Sequence, residues 1–130
     1  MATIKAYTDL SQSKKLAEIL PLESADMSWV NDLSGDHIIA RPYDELHKDI
    51  EGLRHEYGEI ESKEYPAWSL SALLSVLPDG TDIVKDKTDT ENEKYMCTVG
   101  VKDDIISTFG NNPVDACYEM IIRLNELKML

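Results

Sequence analysis

Residues 65–78 read Tyr-Pro-Ala-Trp-Ser-Leu-Ser-Ala-Leu-Leu-Ser-Val-Leu-Pro and form the most apolar stretch of an acidic sequence. Ser69 belongs to the residue types that cap a helix by accepting a hydrogen bond from a backbone N–H two or three residues later. Pro78 cannot continue a helix, so the helix ends there. A helix of about two turns is not stable alone and must be held by packing. We therefore predict a short interior helix at residues 69–77. Its apolar stripe consists of Leu70, Leu73, Leu74 and Leu77.

Two segments before this stretch also have helical patterns. Asp9, with Gln12 three residues later, has the spacing of a capping box, and Pro21 ends the helix that follows. Residues 43–57 carry apolar side chains at intervals of four, three and four residues, which is typical of one helix face. We predict a helix in each segment.

The last segment of the chain has a well-marked helix start. Asn112 is suited to the cap position, and Pro113 falls at the first helical position, where its missing N–H costs nothing. Asp115 places a negative charge near the positive end of the helix dipole. We predict a helix over residues 113–127 that lies across a sheet.

Short segments with strand character occupy the spaces between the helices. Residues 27–30 and 37–40 flank a run of turn-forming residues, which predicts a loose hairpin. Residues 81–85 read as a strand, and residues 93–101 alternate in polarity before a turn into residues 104–109. The last two strands are predicted to pair as an antiparallel hairpin.

These elements predict an α+β fold, with a small antiparallel sheet of about four to five strands packed against two to four helices. At 130 residues the chain has the length of a single domain, residues 1–130. The helices at residues 69–77 and 113–127 are expected to cover the sheet. Polar, aperiodic sequence predicts mobile segments near residues 58–64 and 86–92.

Net charge is the strongest compositional feature, with 25 acidic and 13 basic residues giving −12. Such a surface repels phosphate, so we expect neither direct nucleic-acid binding nor membrane binding. The charge is consistent with simple solubility, with attraction to a basic partner, or with mimicry of a nucleic acid. The chain shows no signal peptide and no apolar run of the roughly 20 residues that cross a bilayer, so we expect a cytoplasmic protein.

Residue types that carry chemistry are present without a recognisable arrangement. His47, Glu51 and His55 follow one another at four-residue steps, but the two histidines would be two turns apart and would lie on the polar side of the predicted helix. Cys97 and Cys117 form no paired redox motif and are expected to be buried free thiols, with a disulfide between them as the alternative. We predict no catalytic, cofactor-binding or metal-binding residues.

The aromatic residues beside the predicted interior helix offer a different kind of site. Tyr65 and Trp68 adjoin an acidic connector and are candidates for an exposed contact with a protein partner. The alternative is that Trp68 belongs to the interior and covers the N-terminal end of the helix.

The segment Pro66-Ala67-Trp68-Ser69-Leu70-Ser71-Ala72-Leu73-Leu74 resembles a motif in a family of small proteins of gut bacteria and their phages. No activity, cofactor or catalytic residue is assigned to that family, so the resemblance implies lineage and supplies no site. Further matching segments lie at residues 8–16, 24–27, 77–78, 112–116 and 119–120.

The sequence favours a non-enzymatic protein-interaction module of the α+β class, in a mobile-element accessory role. An apolar edge or the region around Trp68 would meet a protein partner or a second copy of the chain. An acidic mimic that occupies a nucleic-acid-binding protein is the second hypothesis, because the net charge is −12. An enzyme of unrecognised type is the third, because active sites assemble from residues far apart in sequence.

Overall fold

The computed structural model describes residues 5–32, 35–39, 63–86 and 94–130 of the chain. Contacts within the chain define two compact units, one formed by residues 9–69 and the other by residues 1–8 and 70–130. The predicted helix at residues 43–57, with His47, Glu51 and His55, lies outside the described residues.

Within its described residues, the first unit combines one α-helix with a three-stranded antiparallel sheet, whose strand order is β2-β1-β3. The helix packs against β3. Its elements are α1 (Leu10–Ala17), a 3-10 turn (Leu22–Ser24), β1 (Met27–Asp32), β2 (Gly35–Ile39) and β3 (Lys63–Ala67).

The capping box predicted at the start of α1 is confirmed. The Asp9 carboxylate accepts a hydrogen bond from the Gln12 amide at 2.8 Å, and the Gln12 side chain accepts one from the Asp9 amide at 3.1 Å. The helix ends at Ala17, before Pro21, because the backbone tightens there. The amide of Ile19 bonds to the carbonyl of Leu16, three residues earlier, at 3.0 Å.

The hairpin predicted around residues 31–36 is also confirmed. Trp29 on β1 pairs with Ile38 on β2, and the pairing continues to Asp32 and Gly35. Strand β3 adds to the other side of β1 and is an edge strand of this sheet. An edge position suits Pro66, which has no N–H to donate to a neighbouring strand.

The second unit contains two helices and another three-stranded antiparallel sheet, ordered β4-β5-β6. Helix α3 packs against β5 and β6 and contacts α2. The elements are α2 (Leu70–Val76), β4 (Asp82–Asp86), β5 (Lys94–Val101), β6 (Asp104–Gly110) and α3 (Pro113–Glu126). The predicted α+β class is confirmed, with the strands divided between two small sheets.

The interior helix predicted at residues 69–77 is present as α2. Leu73 is fully buried and Leu77 nearly so, whereas Leu70 is half-buried and Leu74 retains 38% of its surface exposed. Three of the four leucines therefore line the packed side, and Leu74 lies at the edge of the stripe. Ala72, which the leucine pattern leaves out, is buried instead.

The hairpin of β5 and β6 closes through a two-residue turn. Val101 pairs with Asp104, and Lys102 adopts a left-handed backbone with φ of 52°. Two-residue hairpin turns need such a conformation because it matches the twist of the strands. The antiparallel pairing predicted for this hairpin is confirmed.

The predicted start of α3 is confirmed in full. The Asn112 side chain accepts a hydrogen bond from the Asp115 amide at 2.8 Å, with Pro113 in the first turn. The Asp115 carboxylate also pairs with the Lys5 ammonium at 2.8 Å. The first residues of the second unit are thereby tied to the beginning of α3.

Candidate functional site

The sheet of the second unit has two chemically different faces. Residues directly opposite each other on antiparallel strands share a face. Cys97, opposite Thr108, and Val99, opposite Ile106, lie on the face toward α3, and both Cys97 and Val99 are buried. We call this the inner face. The alternate residues of the three strands form the outer face.

A row of apolar side chains crosses the outer face from one edge strand to the other. Val84 on β4 pairs with Met96 on β5, which pairs with Phe109 on β6. Val84 is 49% exposed, Phe109 is 53% exposed and Met96 is half-buried. We call these three residues the outer apolar row.

A polar row and a further isoleucine complete the outer face. Thr98 pairs with both Asp82 and Ser107, and the hydroxyl oxygens of Thr98 and Ser107 lie 3.3 Å apart. Ile105 is 73% exposed, because its partner across the hairpin is Gly100, which has no side chain to cover it. The face thus presents apolar groups on both sides of a narrow polar strip.

Acidic groups border this face. Asp82 is exposed in the polar row, and Asp103 and Asp104 are exposed at the turn that joins β5 to β6. Lys102 contributes one opposing charge at the same turn. A negative rim around an apolar centre attracts positively charged partners and repels negatively charged ones.

The two aromatic residues predicted as contacts lie in the first unit. Trp68 is fully buried, and its indole nitrogen donates a hydrogen bond to the Ser24 hydroxyl at 2.9 Å. Tyr65 is half-buried, with the Lys14 ammonium 4.8 Å from the centre of its ring. The structure therefore places Trp68 in the interior, as the alternative reading of the sequence had it.

The residue before α2 has an acidic partner. The Ser69 amide donates a hydrogen bond to the Asp26 carboxylate at 2.9 Å, and the Ser69 hydroxyl donates to the other carboxylate oxygen of Asp26. Ser69 was singled out from the sequence as a helix cap. In the structure its hydroxyl instead donates to Asp26, which links the segment after β3 to the residue that precedes β1.

The two cysteines are buried free thiols, as predicted. Cys97 lies on the inner face of β5, and Cys117 lies on α3, the helix that packs against that strand. The hydrogen bond from Cys117 lowers the pKa of the Cys97 thiol, and burial opposes that change. The same bond, together with burial and the neighbouring Cys97 charge, raises the pKa of Cys117. Cys97 is therefore the first of the pair to ionise.

Among the residues that the structure describes, no three His, Cys, Asp or Glu side chains converge in a way that could hold a metal ion. Of the helices in the described ranges, none combines the length and the apolar character that crossing a bilayer requires. No family model matches the chain, and no curated protein or solved structure matches it.

The alternation in residues 93–101 places Met96, Thr98 and Gly100 on one side of the strand. That this side forms an exposed binding surface was not predicted. The available signal was the hairpin register. Pairing β5 with β6 through the two-residue turn brings Phe109 opposite Met96 and leaves Ile105 opposite Gly100. Only the addition of β4 then extends the row to Val84.

Proposed function

We propose that this protein is a non-enzymatic interaction module that binds a protein partner through the outer apolar row. The observation that carries the proposal is the exposure of Val84 and Phe109 on either side of Met96, in register across all three strands. Contiguous exposed apolar surface of this kind is characteristic of protein-binding sites. Phe109, at one end of the row, belongs to the aromatic residues that are enriched in protein interfaces.

The size of the row indicates what the partner must supply. Full burial of a Val, Ile or Phe side chain contributes about 1.5–3 kcal/mol. Val84, Ile105 and Phe109 are already partly buried, so each can contribute only part of this free energy on binding. Association itself costs on the order of 4–15 kcal/mol. The row alone is therefore insufficient for tight binding. Charge complementarity at the rim and apolar groups contributed by the partner must provide the remainder.

The occupant we infer is a protein that presents an apolar anchor surrounded by basic residues. The exposed Asp82, on the outer face, and Asp103, at the turn, would meet those basic groups. A second copy of the chain fits less well, because both copies carry a net charge of −12. The resemblance to proteins of gut bacteria and phages supports a mobile-element accessory role, in which the partner is a protein of the host or of the element.

A model peptide tests this surface directly. We would titrate an amphipathic helical peptide of leucine and lysine into the isotopically labelled full chain, with a leucine–glutamate peptide as the charge control. The expected result is that the amide resonances of Val84, Met96 and Phe109 shift with the lysine peptide alone. Phe109→Ser should weaken binding about tenfold, which corresponds to about 1.4 kcal/mol. Leu127→Ser changes a leucine that is 42% exposed directly after α3 and should leave binding unchanged.

The salt dependence separates this proposal from an acidic mimic of nucleic acid, which the net charge of −12 favours as a second candidate. Raising the salt from about 0.1 M to about 1 M shortens the screening length from about 10 Å to about 3 Å. Binding through the row should weaken but persist, and should remain sensitive to Phe109→Ser. Binding that vanishes at high salt and ignores Phe109→Ser would favour the mimic instead.

Analytical ultracentrifugation of the protein without peptide tests whether two copies of the chain associate through the outer apolar row. We expect a monomer over the concentrations used in the titration. A concentration-dependent dimer that Phe109→Ser abolishes, and that Leu127→Ser does not, would assign the row to self-association and overturn the choice of partner.

A further inference from the structure

The fold brings the only two cysteines of the chain together on the inner face of the second sheet. Cys97 lies on the central strand, opposite Thr108 on β6. The Thr108 hydroxyl donates a hydrogen bond to the carbonyl oxygen of Ala116 at 2.8 Å. Because Ala116 directly precedes Cys117, this bond holds the backbone of α3 beside the cross-strand neighbour of Cys97. The lowered pKa of the Cys97 thiol, caused by the neighbouring Cys117, agrees with this placement.

The surroundings of the pair are apolar and closed. Both cysteines are fully buried, as are Met120 and Ile121 on α3, and Val99 on β5 is 1% exposed. A buried thiol is ordinarily inert, because its thiolate is poorly solvated. A second thiol beside the first changes this, because it stabilises the thiolate of the first and can attack that sulfur once an oxidant has converted it to a sulfenic acid.

We propose that Cys97 and Cys117 form a reversible oxidation site, at which a small peroxide converts the two thiols into a disulfide that joins β5 to α3. The site is independent of the outer apolar row, since it lies on the opposite face of the sheet. It is a modification site for an uncharged oxidant of the size of hydrogen peroxide.

The reaction balances with hydrogen peroxide as the oxidant. The Cys97 thiolate attacks one peroxide oxygen and the O–O bond breaks, so that Cys97 becomes a sulfenic acid and the leaving hydroxide takes up the proton released by the thiol. The Cys117 sulfur then attacks the Cys97 sulfur, and the S–O bond breaks. The proton of Cys117 leaves with that hydroxide as a second water. Two thiols and one peroxide thus give one disulfide and two water molecules.

The lowered pKa of Cys97 supports this order of events, because the thiolate is the nucleophile. Cys117 keeps its proton until the second step. Since both side chains are buried, peroxide reaches them when α3 separates briefly from the sheet, so the rate depends on local opening. A small uncharged oxidant is favoured over a bulky or charged one for the same reason.

Mass spectrometry of the folded full chain after treatment with hydrogen peroxide tests the proposal. The expected product has lost two hydrogen atoms. Trypsin cuts after Lys94, Lys102 and Arg123, so the two cysteines fall in separate peptides, residues 95–102 and 103–123. These peptides should be joined before reduction and separate after treatment with dithiothreitol. The urea midpoint should rise on oxidation and return on reduction, because the crosslink restricts the unfolded chain.

Two single variants follow the individual steps. Cys117→Ser removes the resolving thiol, so the sulfenic acid at Cys97 should persist and be captured by dimedone. After the same peroxide treatment, Cys97→Ser should give dimedone adduct several-fold more slowly, because burial still raises the pKa of the remaining Cys117 thiol. If either variant fails to fold, the peptide map of the unaltered chain still decides the matter. Oxygen addition without a crosslink, crosslinks only between chains, or no reaction of the folded chain would each overturn the proposal.

Discussion

Gly110 approaches the first turn of α3 so closely that a β-carbon built on it would lie 2.5 Å from the Ala116 amide nitrogen. The same atom would lie 2.8 Å from the Asp115 carbonyl carbon. These neighbours are backbone atoms of a helix that is capped by Asn112 and tied to Lys5, so they have little freedom to move. Glycine at this position is what allows β6 to turn directly into α3.

Gly110→Ala should therefore lower the free energy of unfolding by about 1–3 kcal/mol, the usual cost of forcing extra volume into a packed site. Gly100→Ala is the matched control, because a β-carbon at Gly100 meets nothing within 4 Å. The control should be neutral or slightly stabilising, by up to about 1 kcal/mol. Urea unfolding of both variants provides the comparison, and equal midpoints would contradict the close approach.

The cap of α3 can be removed without changing the packing of its apolar face. Asn112→Ala loses the hydrogen bond from Asp115 and should lower the free energy of unfolding by about 1 kcal/mol. Asn125 lies in the last turn of the same helix and is exposed. Asn125→Ala should change the free energy by no more than about 0.5 kcal/mol in either direction. Thermal unfolding of the two variants measures the difference, and a cap variant as stable as its control would show that Asn112 contributes nothing.

Neighbouring leucines of α2 should respond very differently to truncation. Leu73 is fully buried, so Leu73→Ala should cost about 2–5 kcal/mol through lost burial and the cavity left behind. Leu74 is 38% exposed, and Leu74→Ala should cost less than about 1.5 kcal/mol. Denaturant titration of the pair tests which side of α2 is interior. A larger effect at Leu74 would mean that the helix is rotated.

Two serines of the first unit should show effects of opposite sign. Ser28 is fully buried, and among the described residues its hydroxyl is the buried side-chain group without a hydrogen-bond partner. Ser28→Ala removes that unsatisfied group and should be neutral or stabilising by up to about 1 kcal/mol. Ser24→Ala leaves the indole N–H of buried Trp68 without its acceptor and should cost about 1–3 kcal/mol.

Urea unfolding followed by tryptophan fluorescence suits this comparison, because Trp68 reports on the region that Ser24 supports. Stabilisation by Ser24→Ala would show that the hydrogen bond from the Trp68 indole to Ser24 makes no net contribution to the free energy of unfolding. Destabilisation by Ser28→Ala would show that its hydroxyl has a partner after all.

Local chemistry made several elements predictable. The capping box of Asp9 and Gln12, the start of α3 at Asn112 and Pro113, and the interior helix before Pro78 each depend on residues within a few positions of one another. The hairpin of β5 and β6 was equally accessible, because alternation and a short turn fix its register. Short-range hydrogen bonds and steric limits act before any tertiary contact forms.

The division of the strands into two sheets could not be predicted from local sequence. Residues 63–67 were read in part as connector and in part as the approach to a helix, yet they pair with β1, more than 30 residues earlier in the chain. Such pairing depends on which distant edge is free to accept a strand. Pro66 also weakens a sequence-based strand assignment, because proline is tolerated only where the neighbouring strand needs no donor.

The sequence by itself determined the α+β class, the starts of the first and last helices and the strongly negative charge, because each follows from composition or from near neighbours. Only the tertiary structure decided that Trp68 is interior, that Val84, Met96 and Phe109 form one exposed row, and that Cys97 meets Cys117. These three facts depend on residues brought together from separate elements. Burial and contact are properties of the packed chain, and no local pattern encodes which distant surface a side chain will meet.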